Sequence, residues 1–226
     1  MYNFFKKYFN LYIKNKAYKK RNSYSQWGED KFISKFFENK SFGFYVDIGC
    51  FHPIRYSNTC LLFNKGWNGI NIDLNPMSIE LFNIIRPKDY NLCEAISDEV
   101  KELDLYFDHN FSPINTIDKS FYDMVDKKIG FKNLSKKKIK TKTFEEITKD
   151  IANLDKINFL NIDCEGHDFN VLNSVNLNKF KPDLICVETH DIHDLSKVSN
   201  IQVTKMLEKF DYKIYQRCGP SSLYYK

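Results

Sequence analysis

The densest chemistry in the chain gathers behind two apolar runs. "INFLNID" at 157 ends on Asp163 and leads into Glu165 and His167, while "LICVETH" at 184 carries Glu188 and His190, with Asp191 and His193 just beyond. Three of the chain's five histidines fall within these 27 residues. An imidazole titrates near neutrality and can take a proton from a reacting group, and a mixed set of histidines and carboxylates can also hold a divalent metal. Period-two alternation along a strand sets Glu188 and His190 on one face. Plainer roles stand beside these: Asp163 or Asp168 as the cap of a helix over "FNVLNSV", and Asp191 and His193 as decoration of a surface loop.

A second group lies earlier. "FYVDIGCFHP" at 44 runs an apolar strand into Asp47 and Gly49 and stops at a proline, and "GINIDLNP" at 69 ends on Asp73. In an open α/β sheet ligands bind beyond the carboxyl ends of the strands. A glycine there lets the backbone approach a ligand, and a carboxylate can accept from both hydroxyls of a ribose. The further glycines of a dinucleotide turn are missing. A nucleoside that carries an amino acid instead of a pyrophosphate, such as S-adenosylmethionine, suits this pattern better than NAD. Asp-Ile-Gly as a simple turn and Asp73 as a helix cap before Pro76 are the ordinary readings of the same residues.

The elements that must position these groups alternate. Apolar runs at 44, 69, 90 ("YNLCEAIS"), 157 and 184 are separated by amphipathic stretches such as "SNTCLLFNKG" and "MSIELFNIIRP". This predicts an α/β fold with a mostly parallel sheet covered on both faces. "YKIYQRCGPSSLYYK" at 212 reads as a C-terminal antiparallel hairpin, which completes the Rossmann-like layout of class I methyltransferases. Residues 103–143 break the alternation and read as an insertion or lid, with a helix at 118–129 and a strand at "KIKTKTF". The expected division is a basic helical segment, 1–22, followed by one domain, 23–226.

Blocks of this sequence resemble the FkbM-type methyltransferases: "YSQWGED" at 24, "VDIGCFHPIRYSNT" at 46, "GWNGINIDLNP" at 66 and "FLNIDCEGHDFNVLNS" at 159. "IDCEGHD" is similar to the family's Asp-x-Glu-Gly signature, with His167 where other members often carry a small residue. The resemblance implies S-adenosylmethionine as cofactor and methyl transfer to a hydroxyl, usually of a sugar or polyketide, with surface-polysaccharide synthesis as the frequent setting. Carried over by position, Asp47, Gly49 and His52 line the methionine end of the cofactor, with Ser57 and Asn58 behind them. Asp73 holds the ribose, and Glu94, Ala95 and Ser97 border the adenine. Gln26 reaches the same pocket, whereas Glu29 and Asp30 either join it or cap the helix "KFISKFF". His109, Asn115 and Thr116 either close over the acceptor or form a turn beside Pro113.

Two catalytic designs meet the need to remove a hydroxyl proton during transfer. In one, His167 or His190 is the base, oriented by Glu165 or Glu188. In the other, Asp163, Glu188 and His190 hold a divalent metal, Fe, Mn or Zn in preference to Mg. The expected reaction is O-methylation of a sugar, in a nucleotide sugar or a capsule or lipopolysaccharide precursor. The rival readings are N-methylation of an amino sugar and a non-catalytic glycan- or membrane-associated binding module.

Composition narrows the setting. The chain has 226 residues and a net charge of +5, and its six cysteines form no CxxC pair, so a reducing cytoplasm is expected. No run approaches the ~20 apolar residues of a membrane span. The seven lysines and arginines of residues 1–22 meet no acid, and without that segment the remainder is slightly acidic. It reads as a docked terminal helix or as a basic amphipathic one lying peripherally on the inner membrane face. A second basic run at 132–142 reads as a loop entering a polar strand, and neither run has the context of a nucleic-acid partner.

Overall fold

The computed structural model describes residues 2–16, 21–108, 111–130, 135–152, 154–189 and 201–226. His109, His190, Asp191 and His193 therefore lie outside the described residues.

The apolar runs become the strands of one sheet. β1 (Phe44–Ile48), β2 (Asn68–Asp73) and β3 (Tyr90–Cys93) pair in parallel on one side of the centre, and β7 (Phe159–Ile162) and β8 (Leu184–Glu188) continue in parallel on the other. The terminal hairpin, β9 (Lys213–Cys218) and β10 (Ser221–Tyr225), inserts so that β10 runs antiparallel to β8. The resulting order is β3-β2-β1-β7-β8-β10-β9. The chain leaves β1 toward β2 and later returns to β7 on the opposite side, so the order reverses between β1 and β7, where open sheets bind ligands.

The two faces of the sheet differ in chemistry. Val46, Ile48, Ile70, Ile72, Leu160 and Ile162 form the main apolar core with α6 (Phe144–Thr148), α7 (Asp168–Asn173) and α9 (Gln202–Glu208). The other face packs Tyr45 and Phe159 against α2 (Glu29–Phe36) and α3 (Cys60–Asn64), and it also carries Asp47, Asn71 and Asn161 side by side in register. All three are buried.

The expected single run at 90 is divided. β3 stays in the main sheet, whereas β4 (Ala95–Ile96) leaves it to pair with β6 (Ser135–Lys142), which in turn pairs with β5 (Glu102–Phe107) in a separate three-stranded sheet. Between β5 and β6 lies α5 (Lys119–Ile129), capped by Asp118, whose side chain accepts from Phe121 N at 2.7 Å. α4 (Pro76–Ile85) follows β2; its cap is Asn75, which accepts from Met77 N, and not Asp73. The helix after β7 likewise takes neither Asp163 nor Asp168 as its cap. His167 holds that place, and Asp168 reaches back to Cys164 N (2.8 Å) and Gly166 N (3.1 Å). α8 (Leu177–Phe180) completes the link to β8. No helix among the described residues is long and apolar enough to cross a membrane.

Candidate active site

A cleft opens at the carboxyl ends of β1, β2 and β7, lined by Gly49, Phe51, Asp73, Asn75, Glu94, Ala95, the segment 112–117, Asp163, Glu165 and His167. Its cavity volume is about 70 Å³, below the size range of small-molecule sites, so a ligand larger than a few atoms needs the 112–117 wall to give way. Asp73 stands at its floor with both oxygens engaged: Oδ1 accepts from Asn75 N at 2.7 Å and Oδ2 from Phe51 N at 2.8 Å. A carboxylate offers about four acceptor positions, so two remain for a ligand. Burial pushes Asp73 up to about 6, with the two amides holding it down. Glu94 is paired with Lys142 at 2.6 Å.

Gly49 lines the cleft for a reason other than ligand approach. It adopts φ +77°, and a Cβ there would collide with the carbonyl of Asp163. The missing side chain thus lets the loop after β7 lie against the end of β1, where Asp163 N also donates to Ile48 O at 3.0 Å. That loop is wound tightly. Glu165 sits at φ +50° and Gly166 at +93°, a left-handed pair that costs free energy for the non-glycine member. The Asp168 carboxylate grips it from below, and Thr116 Oγ1 donates to Glu165 O at 2.7 Å from the facing wall. The wall is itself held by the reciprocal backbone bonds between Tyr106 and Thr116 (2.8 and 3.1 Å).

The tight loop brings three carboxyls together. Asp163, Glu165 and Glu188 each offer an oxygen within 4.8 Å of the others. Burial, then the neighbouring Glu188, pushes Asp163 well above the usual carboxylate range, and burial, then Asp163, does the same to Glu165. Glu188 is raised by burial to about 7, held down by a hydrogen bond from Asp163. Asp163 and Glu188 therefore share a proton, as like charges this close must. Asp163 also belongs to a second, smaller cleft, formed by Gln26, Trp27, Glu29, Tyr56, Asn58, Glu188, Pro220 and Ser221. Gln26 and Asn58, expected at the cofactor, lie in this second cleft.

Asp47, His52, Ser57 and Ser97 line neither cleft. Asp47 accepts from Thr59 Oγ1 (2.6 Å) and Asn161 Nδ2 (2.8 Å), and Asn161 accepts from Asn58 Nδ2 at 2.9 Å. Ser57 accepts from Arg86 Nη2 at 3.1 Å, and the same nitrogen donates to Pro53 O at 2.7 Å. Arg86 Nη1 donates to Thr59 Oγ1 (2.9 Å) and Tyr45 OH (3.1 Å), whose hydroxyl donates to Asp89. This fully buried arginine ties the loop after β1 to the sheet; the sequence marks it only as the end of "IIRP". His52 Nδ1 accepts from Ile54 N and Arg55 N, and burial lowers its pKa to about 3, so it is a neutral bracket of that loop.

His167 lines the main cleft, but its Nε2 bonds to Ser97 Oγ at 2.9 Å and Ser97 donates to Asp98 at 3.0 Å. That relay assigns the hydrogen to Nε2 and leaves Nδ1 to accept. Burial lowers the His167 pKa, so the ring is neutral at pH 7. Its orientation comes from Ser97 and Asp98, not from the expected Glu165 or Glu188. Glu29 and Asp30 divide their work. Asp30 binds Ser23 Oγ, Tyr24 N and Ser25 Oγ at the start of α2, while Glu29 accepts from Ser221 Oγ at 3.1 Å in the second cleft. His190, the remaining expected catalytic and metal-binding residue, lies outside the described residues.

No curated protein sequence matches the chain. The family model for the methyltransferase FkbM domain matches residues 43–214, a span that runs from the start of β1 into β9 and takes in the switch-point cleft, the left-handed loop and all three clustered carboxyls. A sheet of this order, with its ligand cleft where the order reverses, is a methyltransferase fold, and the chain belongs to the FkbM methyltransferase family.

Proposed function

We propose that the protein uses S-adenosylmethionine to methylate a hydroxyl of a sugar, with the cofactor in the main cleft and the acceptor in the second. The observation that carries this reading is the position of Asp163, which lines both clefts and bonds to Glu188 at their junction. The lining of the main cleft suits the cofactor in chemistry. Asp73 keeps two acceptor positions for ribose hydroxyls. Ile72, Leu74, Ile96 and Ile117 offer apolar walls to a base, and Asp163 and Glu165 turn carboxyl oxygens toward the place of the sulfonium. Bound there, S-adenosylmethionine supplies a methyl group on a positively charged sulfur. At about 20 Å³ the second cleft admits only the edge of an acceptor, but its groups are those a polyhydroxylated one would bind: Gln26, Asn58, Ser221 and Glu29 supply donors and acceptors beside the half-exposed ring of Trp27.

Glu188 acts as the proton acceptor in this reading. Raised to about 7, it is poised where a general base works best at neutral pH, and its proton passes into the pair it forms with Asp163. His167, neutral with Nδ1 open to accept, faces the cofactor side. A divalent cation would neutralise the same three carboxyls. The described donors are oxygens alone, which favours Mg or Mn over the Fe or Zn expected from a histidine-containing set.

The test is transfer of labelled methyl from S-adenosylmethionine to nucleotide sugars by wild type and Glu188→Gln, with and without chelator. Glu188→Gln is expected to lower kcat by about 100-fold or more while cofactor affinity, read by calorimetry, changes by less than about threefold. Turnover within about fivefold of wild type would remove Glu188 as the base. Loss of wild-type activity in chelator, restored by Mg or Mn, would replace the proton pair by a cation. Faster methylation of amino sugars than of hydroxyl analogues would make the enzyme an N-methyltransferase, and cofactor binding without turnover on any acceptor would favour the binding module.

A further inference from the structure

Five large apolar side chains near the N-terminus point away from the domain. α1 (Tyr2–Tyr8) runs directly into a π-helical segment, Phe9–Lys14. Along them Phe5, Tyr8, Phe9, Tyr12 and Ile13 keep the i, i+3, i+4, i+7, i+8 spacing of an amphipathic stripe. This stripe faces solvent: Phe5 is 64% exposed, Tyr8 48% and Ile13 49%. The side that meets the domain is separate and narrow. Leu11 is fully buried, the Asn15 side-chain amide meets His52 Nε2 at 3.1 Å, and Lys7 pairs with Glu80 of α4 at 3.0 Å. The helix is therefore fastened through positions 7, 11 and 15 while its aromatic stripe is turned outward, an apolar patch of the kind that marks an interaction surface.

The charge around the stripe selects its occupant. Residues 1–16 contain no acid, and Lys6, Lys14 and Lys16 are exposed alongside the rings. Phenylalanine and tyrosine rings settle at the boundary between headgroups and acyl chains, and ammonium groups beside them meet lipid phosphates. The rest of the chain is slightly acidic on balance, so the basic charge of this end gives it complementarity to a negative surface. We propose that the N-terminal helix seats the protein on an anionic lipid bilayer. Its two fastenings are the loop after β1 and the helix that follows Asp73, both of which start at the carboxyl end of the sheet where the clefts open. The seat is independent of whether the cleft transfers methyl groups.

Co-sedimentation of the full chain with vesicles tests it, comparing phosphatidylglycerol mixed with phosphatidylcholine against phosphatidylcholine alone, at low and high salt. Binding is expected only to the anionic vesicles and is expected to weaken in salt. Lys14→Glu/Lys16→Glu is expected to lower the partition coefficient by more than about fivefold per position, and Phe9→Ser/Ile13→Ser by about tenfold. Both variants change exposed side chains, so an unchanged melting temperature and unchanged S-adenosylmethionine affinity establish that each is folded. Wild type that ignores anionic vesicles, or variants that bind as wild type does, would overturn the proposal. A wild-type dimer that Phe9→Ser/Ile13→Ser makes monomeric, without vesicle binding, would assign the stripe to a second copy of the chain instead.

Discussion

Asp73 shows how a single side chain couples cofactor binding to pH. Ionised, it keeps acceptor positions on both oxygens for a ribose and binds it by charged hydrogen bonds, and in the free protein burial holds it at about 6. Affinity for S-adenosylmethionine is therefore expected to be level above pH 7 and to fall below about pH 6, approaching tenfold per pH unit, because each binding event must first remove a proton. Calorimetry from pH 5 to 8 reads this directly. Asp73→Asn should abolish the pH dependence, and Asp73→Ala should weaken binding by about 10- to 100-fold, the range for a charged hydrogen bond. An Asp73→Ala protein that binds as wild type does would take the ribose away from this residue. The places of Asp73 and Gly49 at the cleft were legible in the sequence because a strand end fixes where they lie, although Gly49 makes room for the Asp163 carbonyl and not for a ligand. Asp47, His52 and Ser57 sit in the same neighbourhood, yet the face of the strand and the course of the loop turn their side chains into the protein.

At the scale of elements, the loop after β1 depends on Arg86 at the end of α4. Its guanidinium spans Pro53 O, Ser57 and Thr59 from the loop and Tyr45 from the sheet, and it lies over the rings of Phe63 and Phe82. Arg86→Met would leave Asp47 buried without its neighbouring cation, a loss expected to cost about 3–5 kcal/mol in urea unfolding. Because the groups share one network, Arg86→Met/Asp47→Asn should cost less than the sum of the single changes. Strict additivity would dissolve the network into separate contacts. Periodicity could not find Arg86, since an arginine before a proline at a helix end reads as a surface residue. The available sign was elsewhere: "GINID" and "FLNID" each place an asparagine in an otherwise apolar buried strand. Three polar side chains in register on one face require a partner in the layer above. The cleft wall at 112–117 was harder to read, because it is set by pairing with β5 and by one hydroxyl on Glu165, neither of which leaves a local pattern.

For the whole molecule, the mostly parallel sheet and its antiparallel end were legible because strand-helix alternation followed by a hairpin admits few arrangements. How that sheet responds to pH was not, because it depends on which carboxyls the fold crowds together. Asp47, Asp73, Asp163, Glu165 and Glu188 all have pKa values raised by burial. A carboxyl whose folded pKa exceeds its unfolded value contributes stability that is full below the unfolded pKa and is lost as pH rises through the folded one. His52 and His167 oppose this at the acid end. Lowered by burial, they resist the protonation that the unfolded chain accepts below about 6.5. Above that pH neither state of the histidines titrates, so only the carboxyls make stability change with pH. The protein is therefore expected to be more stable at pH 6 than at pH 8.5, and the urea midpoint should fall across that interval. Glu188→Gln removes the group that titrates near 7, so it should be more stable than wild type at pH 8.5 by about 1–3 kcal/mol and gain little at pH 5. If Mg restores wild type at pH 8.5 and does nothing for Glu188→Gln, the carboxyls that share a proton at low pH share a cation at high pH. A midpoint that is flat from pH 6 to 8.5 would mean that the cluster does not hold its protons, and Glu188 would lose the property that suits it to be the base.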